Sequence, residues 1–392
     1  MHKNGWARWL VIAFCLASAG AMAQAGNTDF QAAPDAGPGN VIVHSKFGGQ
    51  IFGFDLDQNG SEGVLSEAQT LGNGNVLAAV ETFDLKTGKI LKVVAKTQSQ
   101  DDFVTLGIVG NSIGLVEREH EVSFLNIRRT YQVINPLSAN QWTGAWTPGL
   151  HKNELIEAVS RNQGVAGSAV LGFVNASNFR QFVFGTNVGA NTFGPQVTLS
   201  DPTFSSSPQL AYDSKRNVAV IAAADGAVGG PPPKIAQVNL TTGAVKVFIG
   251  IAGAPPFGQG FINGLAVDSD DGIAVTTTEL DFSVQFYDLA KQTGFSQVLP
   301  GANNQLQSGA DVEFDPVHKL FFVAQPVSST APSGSSIHVY DQKGRLVESL
   351  NGFSFSNTFN VIPAHIGLHP SDRSGFVDGP DDGVTDVQSF TY

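Results

Sequence analysis

Six residues of chemically useful type recur along this chain, each just before or at the start of an apolar run: Asp102, Glu154, Gln209, Asn263, Asp311 and His365. If those runs are equivalent strands around one axis, the six converge. Carboxylates, amides and an imidazole so placed would suit a divalent cation such as calcium, or a polar ligand. The plainer expectation is that they line a polar, water-filled mouth. No cofactor is predicted beyond that cation, and a nucleotide cofactor is not expected because no phosphate-cradling glycine loop or dinucleotide fingerprint follows a strand and opens a helix.

Such convergence needs a repeat, and one stretch supplies its template. In Phe261 to Leu299, Leu265 to Val267 is a short apolar run, and Ser269-Asp270-Asp271-Gly272 has the composition of a tight turn. Ile273 to Thr278 reads as a second strand. Phe282 to Asp288 alternates with period two, as a half-buried strand does, and Lys291-Gln292-Thr293-Gly294 turns it into a fourth. Four antiparallel strands in about forty residues is the size of one propeller blade.

The turn after Tyr287-Asp288-Leu289 recurs at Phe83-Asp84-Leu85, Val238-Asn239-Leu240 and Tyr340-Asp341-Gln342, each with a glycine close behind. First strands begin near 51, 103, 155, 210, 265, 312 and 366, with the copies near 103 and 155 weakly marked; the spacings are 47 to 55 residues. After Ile366 there is room for three strands only, the last being Val384 to Tyr392. The missing fourth is available as Asn40 to Ser45, which would close the ring and leave no unpaired terminal edge. The expectation is an all-β, seven-bladed β-propeller of four-stranded antiparallel blades over 40–392, with six or eight blades as the alternative.

The phrases Gly264-Leu265-Ala266-Val267-Asp268 and Tyr287-Asp288-Leu289 with Gly294 resemble those of the bacterial NHL- and YVTN-repeat propellers. That resemblance implies a fold, not an activity. Asn263 to Asp268 also resembles the strand-leading phrase of the SMP-30/gluconolactonase-like hydrolases, whose six-bladed channel holds a metal through Glu, Asn and Asp. Asn263 matches that pattern, Asp311 lies one position away, and the Glu has no counterpart.

Residues 1–23 read as a signal peptide: Lys3 and Arg8, an apolar core from Trp9 to Ala17, and Ala21-Met22-Ala23 as the cleavage site. Residues 24–39 read as a disordered lead-in. Cleavage removes Cys15, leaving no thiol nucleophile or thiolate-bound metal, and leaves 20 basic against 34 acidic residues. A net charge of −14 opposes nucleic acid and anionic lipid, and no later run is apolar enough to span a membrane. The expected location is the periplasm or the outside.

Three further features bear on function. Asp55-Leu56-Asp57-Gln58-Asn59-Gly60 spaces its oxygens like a calcium loop, but the twelfth position is Ser66 rather than Glu, which favours an ordinary turn. Asn175-Ala176-Ser177 fits a glycosylation acceptor. Loops 225–234 and 325–336, rich in Gly, Pro and Ser, interrupt their blades between strands two and three, on the side of the channel mouth. His318 and His369, beside turns, are expected to face solvent. The leading expectation is an exported, non-enzymatic propeller that holds an extracytoplasmic protein, peptide or glycan on its loop-rich face. The alternative is a metal-dependent lactonase- or esterase-like hydrolase working at the channel mouth.

Overall fold

The computed structural model describes residues 36–392, apart from 72–74, 100, 110–111, 124–125, 152–153, 162–166, 175–179, 206–207, 225–230, 252–259, 279–280, 303–308, 327–334, 354–364 and 382–383. The signal and lead-in stretch up to 35 and the acceptor at 175–177 therefore lie outside the described residues, as does most of both long loops.

Seven small antiparallel sheets form a ring. Their innermost strands are Gln50–Leu56, Asp101–Val109, Glu154–Val159, Gln209–Asp213, Ile262–Asp268, Asp311–Asp315 and Ile366–His369, which define blades 1 to 7. Each innermost strand neighbours the next, blade 7 meeting blade 1. Blade 3 departs from four clean strands: its outer edge is two fragments, Thr192–Phe193 and Val197–Leu199.

The core follows from this stacking. Each of seven apolar clusters sits between one pair of adjacent blades, so a middle strand is buried on both faces. That is why Leu320–Gln325 reads as an almost unbroken apolar run and is buried throughout.

Turns are built from a repeated acid or amide. Oδ1 of Asp213, Asp268 and Asp315, each ending an innermost strand, accepts backbone N–H groups two or three residues on. Asp84, Asn239, Asp288 and Asp341 do the same after the third strands. A short side-chain acceptor that mimics a backbone turn explains why these positions select Asp or Asn.

The ring closes as expected. Gly37–His44 pairs antiparallel with Val384–Thr391, setting Val43 opposite Val387 and His44 opposite Asp386; the strand begins three residues earlier than Asn40. Gly39 passes so close to Ser389 that a Cβ there would lie 2.2 Å from Oγ. The segment that follows is clamped by two buried carboxylates of blade 1. Glu67 accepts the N–H groups of Phe47 (3.0 Å) and Gly49 (2.7 Å), and Glu81 accepts that of Lys46 (3.0 Å). Oε1 of Glu81 is buried with no hydrogen-bond partner, and burial pushes this carboxyl up to about 7.

Candidate functional site at the channel mouth

The innermost strands enclose a channel of about 400 Å³. Four expected residues line it: Gln209, Asn263, Asp311 and His365. Asp102 and Glu154 do not. Asp102 sits opposite Glu119 within its sheet. Glu154 opens its strand with its carboxylate accepting the His151 N–H (2.8 Å) and the Gln196 amide (3.1 Å).

The reason is a set of bulges. The register slips at Phe52, Leu106, Glu157 and Asn263, so each strand carries one extra residue at that point of its ladder. All four line the channel. Blades 2 and 3 therefore contribute Leu106 and Glu157, four and three residues beyond the positions first singled out. The residue after each bulge is small where the next innermost strand crosses: a Cβ on Gly53 would lie 2.6 Å from the Thr105 carbonyl oxygen, and one on Gly264 2.5 Å from the Val312 nitrogen.

Sequence reasoning also missed Arg161, which follows the innermost strand of blade 3 and reaches across the ring. Its Nη1 donates to Glu313 Oε2 of blade 6 (3.2 Å) and to the Ile366 carbonyl of blade 7 (2.7 Å), and its Nε lies 3.8 Å from Asp55 Oδ2 of blade 1. Burial works against its charge, but Asp55, Glu313 and Asp311 outweigh that and raise its pKa. Burial likewise raises Asp55, opposed by Arg161, and pushes Asp378, which accepts the His365 N–H, up to about 6.

Three of the polar side chains at the mouth are engaged with neighbouring backbone. Asn263 donates its amide to the Gly309 carbonyl (2.9 Å); Asp311 accepts the Val312 N–H (2.8 Å) and, across the blade boundary, the Ile366 N–H (2.9 Å). Gln209 donates to the Ile262 carbonyl at 3.4 Å. No group of three His, Cys, Asp or Glu side chains able to hold a metal occurs among the described residues.

The calcium-like segment is divided between two tasks. Asp55 points into the ring, accepting the N–H of Ile108 (2.7 Å) and of Leu56 (2.9 Å), while Asp57 caps its turn by accepting the Asn59 N–H (3.0 Å). Ser66 is buried and accepts the Thr105 N–H (2.8 Å). His369 does not face solvent either: its Nε2 lies 2.9 Å from the Gly60 carbonyl of blade 1 and its side chain is 12% exposed. His318 is partly covered, 2.7 Å from Asp315.

Residues 110–114 spell Gly-x-Ser-x-Gly. Ser112 has a positive φ of 63°, but it stands between two antiparallel strands of blade 2 rather than between a strand and a helix, as a hydrolase elbow requires.

No family model matches the chain, and no curated protein matches it in sequence. Solved structures do match in shape. The structure titled "Structure of U3-55K" aligns with a TM-score of 0.57 at 13% identity over 91% of this chain and 100% of that one. The "Crystal structure of RRP9 WD40 repeats" gives 0.57 at 13% identity, over 91% and 98%. At this identity the likeness concerns the fold: this chain is a seven-bladed β-propeller, similar in architecture to WD40-repeat propellers.

Proposed function

We propose that this chain is an exported, non-enzymatic scaffold that holds a partner protein or peptide on the face where its innermost strands begin. The observation that carries the reading is the use made of Asn263 and Asp311. These side chains, the best suited to metal chemistry at the mouth, are spent on the backbone of Gly309, Val312 and Ile366, so they serve to hold the ring. The same face receives the connections between second and third strands, including 224–233 and 326–334. Long connections on a rigid ring are where propellers and other scaffolds place recognition.

The test is to replace each of these connections by a short turn and compare proteins co-purifying from the extracytoplasmic fraction, with N-terminal sequencing of the secreted chain as the check on export. Loss of the same partners with the fold intact supports the reading. Unchanged partners, together with an esterase or lactonase activity that vanishes in Asn263→Ala, would overturn it in favour of a hydrolase.

A further inference from the structure

A second surface lies on the outer rim and does not depend on the reading of the loop face. In a propeller the fourth strand of every blade is an edge, and most edges here are guarded. The pairing of the outer strand is irregular in blades 1, 6 and 7. In blade 2 the outer strand is only Gly144–Trp146, and in blade 3 it is two fragments. Bulges, short strands and breaks are the usual means of preventing a foreign strand from pairing.

Blades 4 and 5 lack these devices: their outer strands, Val245–Ile249 and Thr293–Val298, pair in unbroken register. Blade 5 is still partly covered, since Phe295 stacks on Phe286 (5.2 Å between centroids) and Gly344 of blade 6 lies against its ring. In blade 4, Phe248 turns inward to the core, whereas Val245, Val247 and Ile249 are 40%, 44% and 70% exposed on the other face.

The backbone of this strand is also oriented to receive a partner. The Asn239 N–H donates to Ala244 O and the Gly250 N–H to Pro233 O at the two ends of the ladder. In an unbroken antiparallel register the bonded pairs alternate, so Lys246 and Phe248 bond inward to Gln237 and Ile235. The main-chain groups of Val245, Val247 and Ile249 then point outward, at the same residues whose side chains are exposed.

We infer that the outer edge of blade 4 captures an extended peptide of another protein as a fifth strand. The peptide would carry apolar side chains at alternate positions beside Val245, Val247 and Ile249, and an acidic residue toward Lys246, the strand's one charge. A second copy of the chain fits less well. Each copy is strongly acidic, net −14 once residues 1–23 are removed, and the edge of a second copy, Val245–Ile249, offers no acidic residue to Lys246. An extended peptide needs only the strand and its alternating surface.

The experiment is selection of a displayed random dodecapeptide library on the purified chain, followed by affinity measurement against Val247→Pro. Proline there deletes an outward N–H without removing a bond of the existing ladder. Enriched peptides with alternating apolar residues and an acid, losing about tenfold or more in affinity on Val247→Pro with an unchanged melting temperature, support the inference. If that variant folds poorly, Val247→Lys takes its place, with the same loss expected. The inference is overturned if no peptide is enriched, if enriched peptides bind wild type and variant equally, or if sedimentation shows a dimer that Val247→Pro abolishes, which would assign the edge to a second copy.

Discussion

The side-chain hydroxyl of Tyr392 donates a hydrogen bond of 2.7 Å to Oδ2 of Asp315, tying the strand that closes blade 7 to the innermost strand of blade 6. Both side chains are fully buried, and the same carboxylate faces His318 Nδ1 at 2.7 Å. The Tyr392 N–H also donates to the Arg373 carbonyl, as the Leu289 N–H does to Gly272, so Tyr392 occupies the leucine position of the repeated Tyr-Asp-Leu phrase. Tyr392→Phe keeps the ring and removes the bond to a buried carboxylate. The expected loss is about 1.5–3 kcal/mol, read as a lower urea midpoint with an unchanged m-value.

Removing residues 37–44 strips the outer strand from blade 7 and bares the edge of Val384–Thr391. Such an exposed edge templates association. The expected outcome is aggregation, or a large drop in melting temperature, by light scattering and circular dichroism. An unchanged melting temperature would show that the pairing contributes little.

Arg161→Met removes the guanidinium that faces Asp55 and Glu313 inside the ring. Breaking a buried pair from one side costs about 3 kcal/mol. Burial already raises the Asp55 carboxyl in the folded protein, and loss of Arg161 raises it further. The folded state then holds a proton that the unfolded state releases, so stability falls as pH rises above the ordinary aspartate range. The deficit of the variant is expected to be smaller at pH 5 than at pH 8 in parallel chemical denaturations.

Glu81 follows the same sign. Its pKa rises from 4.5 unfolded to about 7 folded, so its contribution is full below 4.5 and is lost as pH climbs through 7. Glu81→Gln keeps an acceptor for the Lys46 N–H without the charge. It should match wild type near pH 4.5 and exceed it at pH 8 by on the order of 2 kcal/mol. Equal pH profiles for the two proteins would remove Glu81 from the account of closure.

The blade count and the closing pair were legible because they rest on features a sequence displays directly: period-two alternation, an Asp or Asn at each turn, and a strand missing at one end that is spare at the other. The channel ring was legible only in part. Asn263 and His365 stand immediately before clear apolar runs, so register followed from hydrophobicity. In blades 2 and 3 a bulge inserts a residue that hydrophobicity does not mark, and at Leu106 the channel residue is itself apolar. A signal was present in the small residue that follows each bulge, at Phe52-Gly53, Leu106-Gly107, Glu157-Ala158 and Asn263-Gly264. Arg161 carried no comparable mark, since its partners come from blades some 100 to 200 residues away in sequence.

The turn-capping aspartates change the meaning of the chain's acidity. Asp57, Asp84, Asp213, Asp268, Asp288, Asp315 and Asp341 are punctuation, each accepting main-chain amides where the polypeptide rounds a corner. Seven of the 34 acidic residues therefore owe their places to corners, while their charges still count toward the net negative charge of the chain. Engineering that neutralises these acids to alter solubility would also erode the corners they cap.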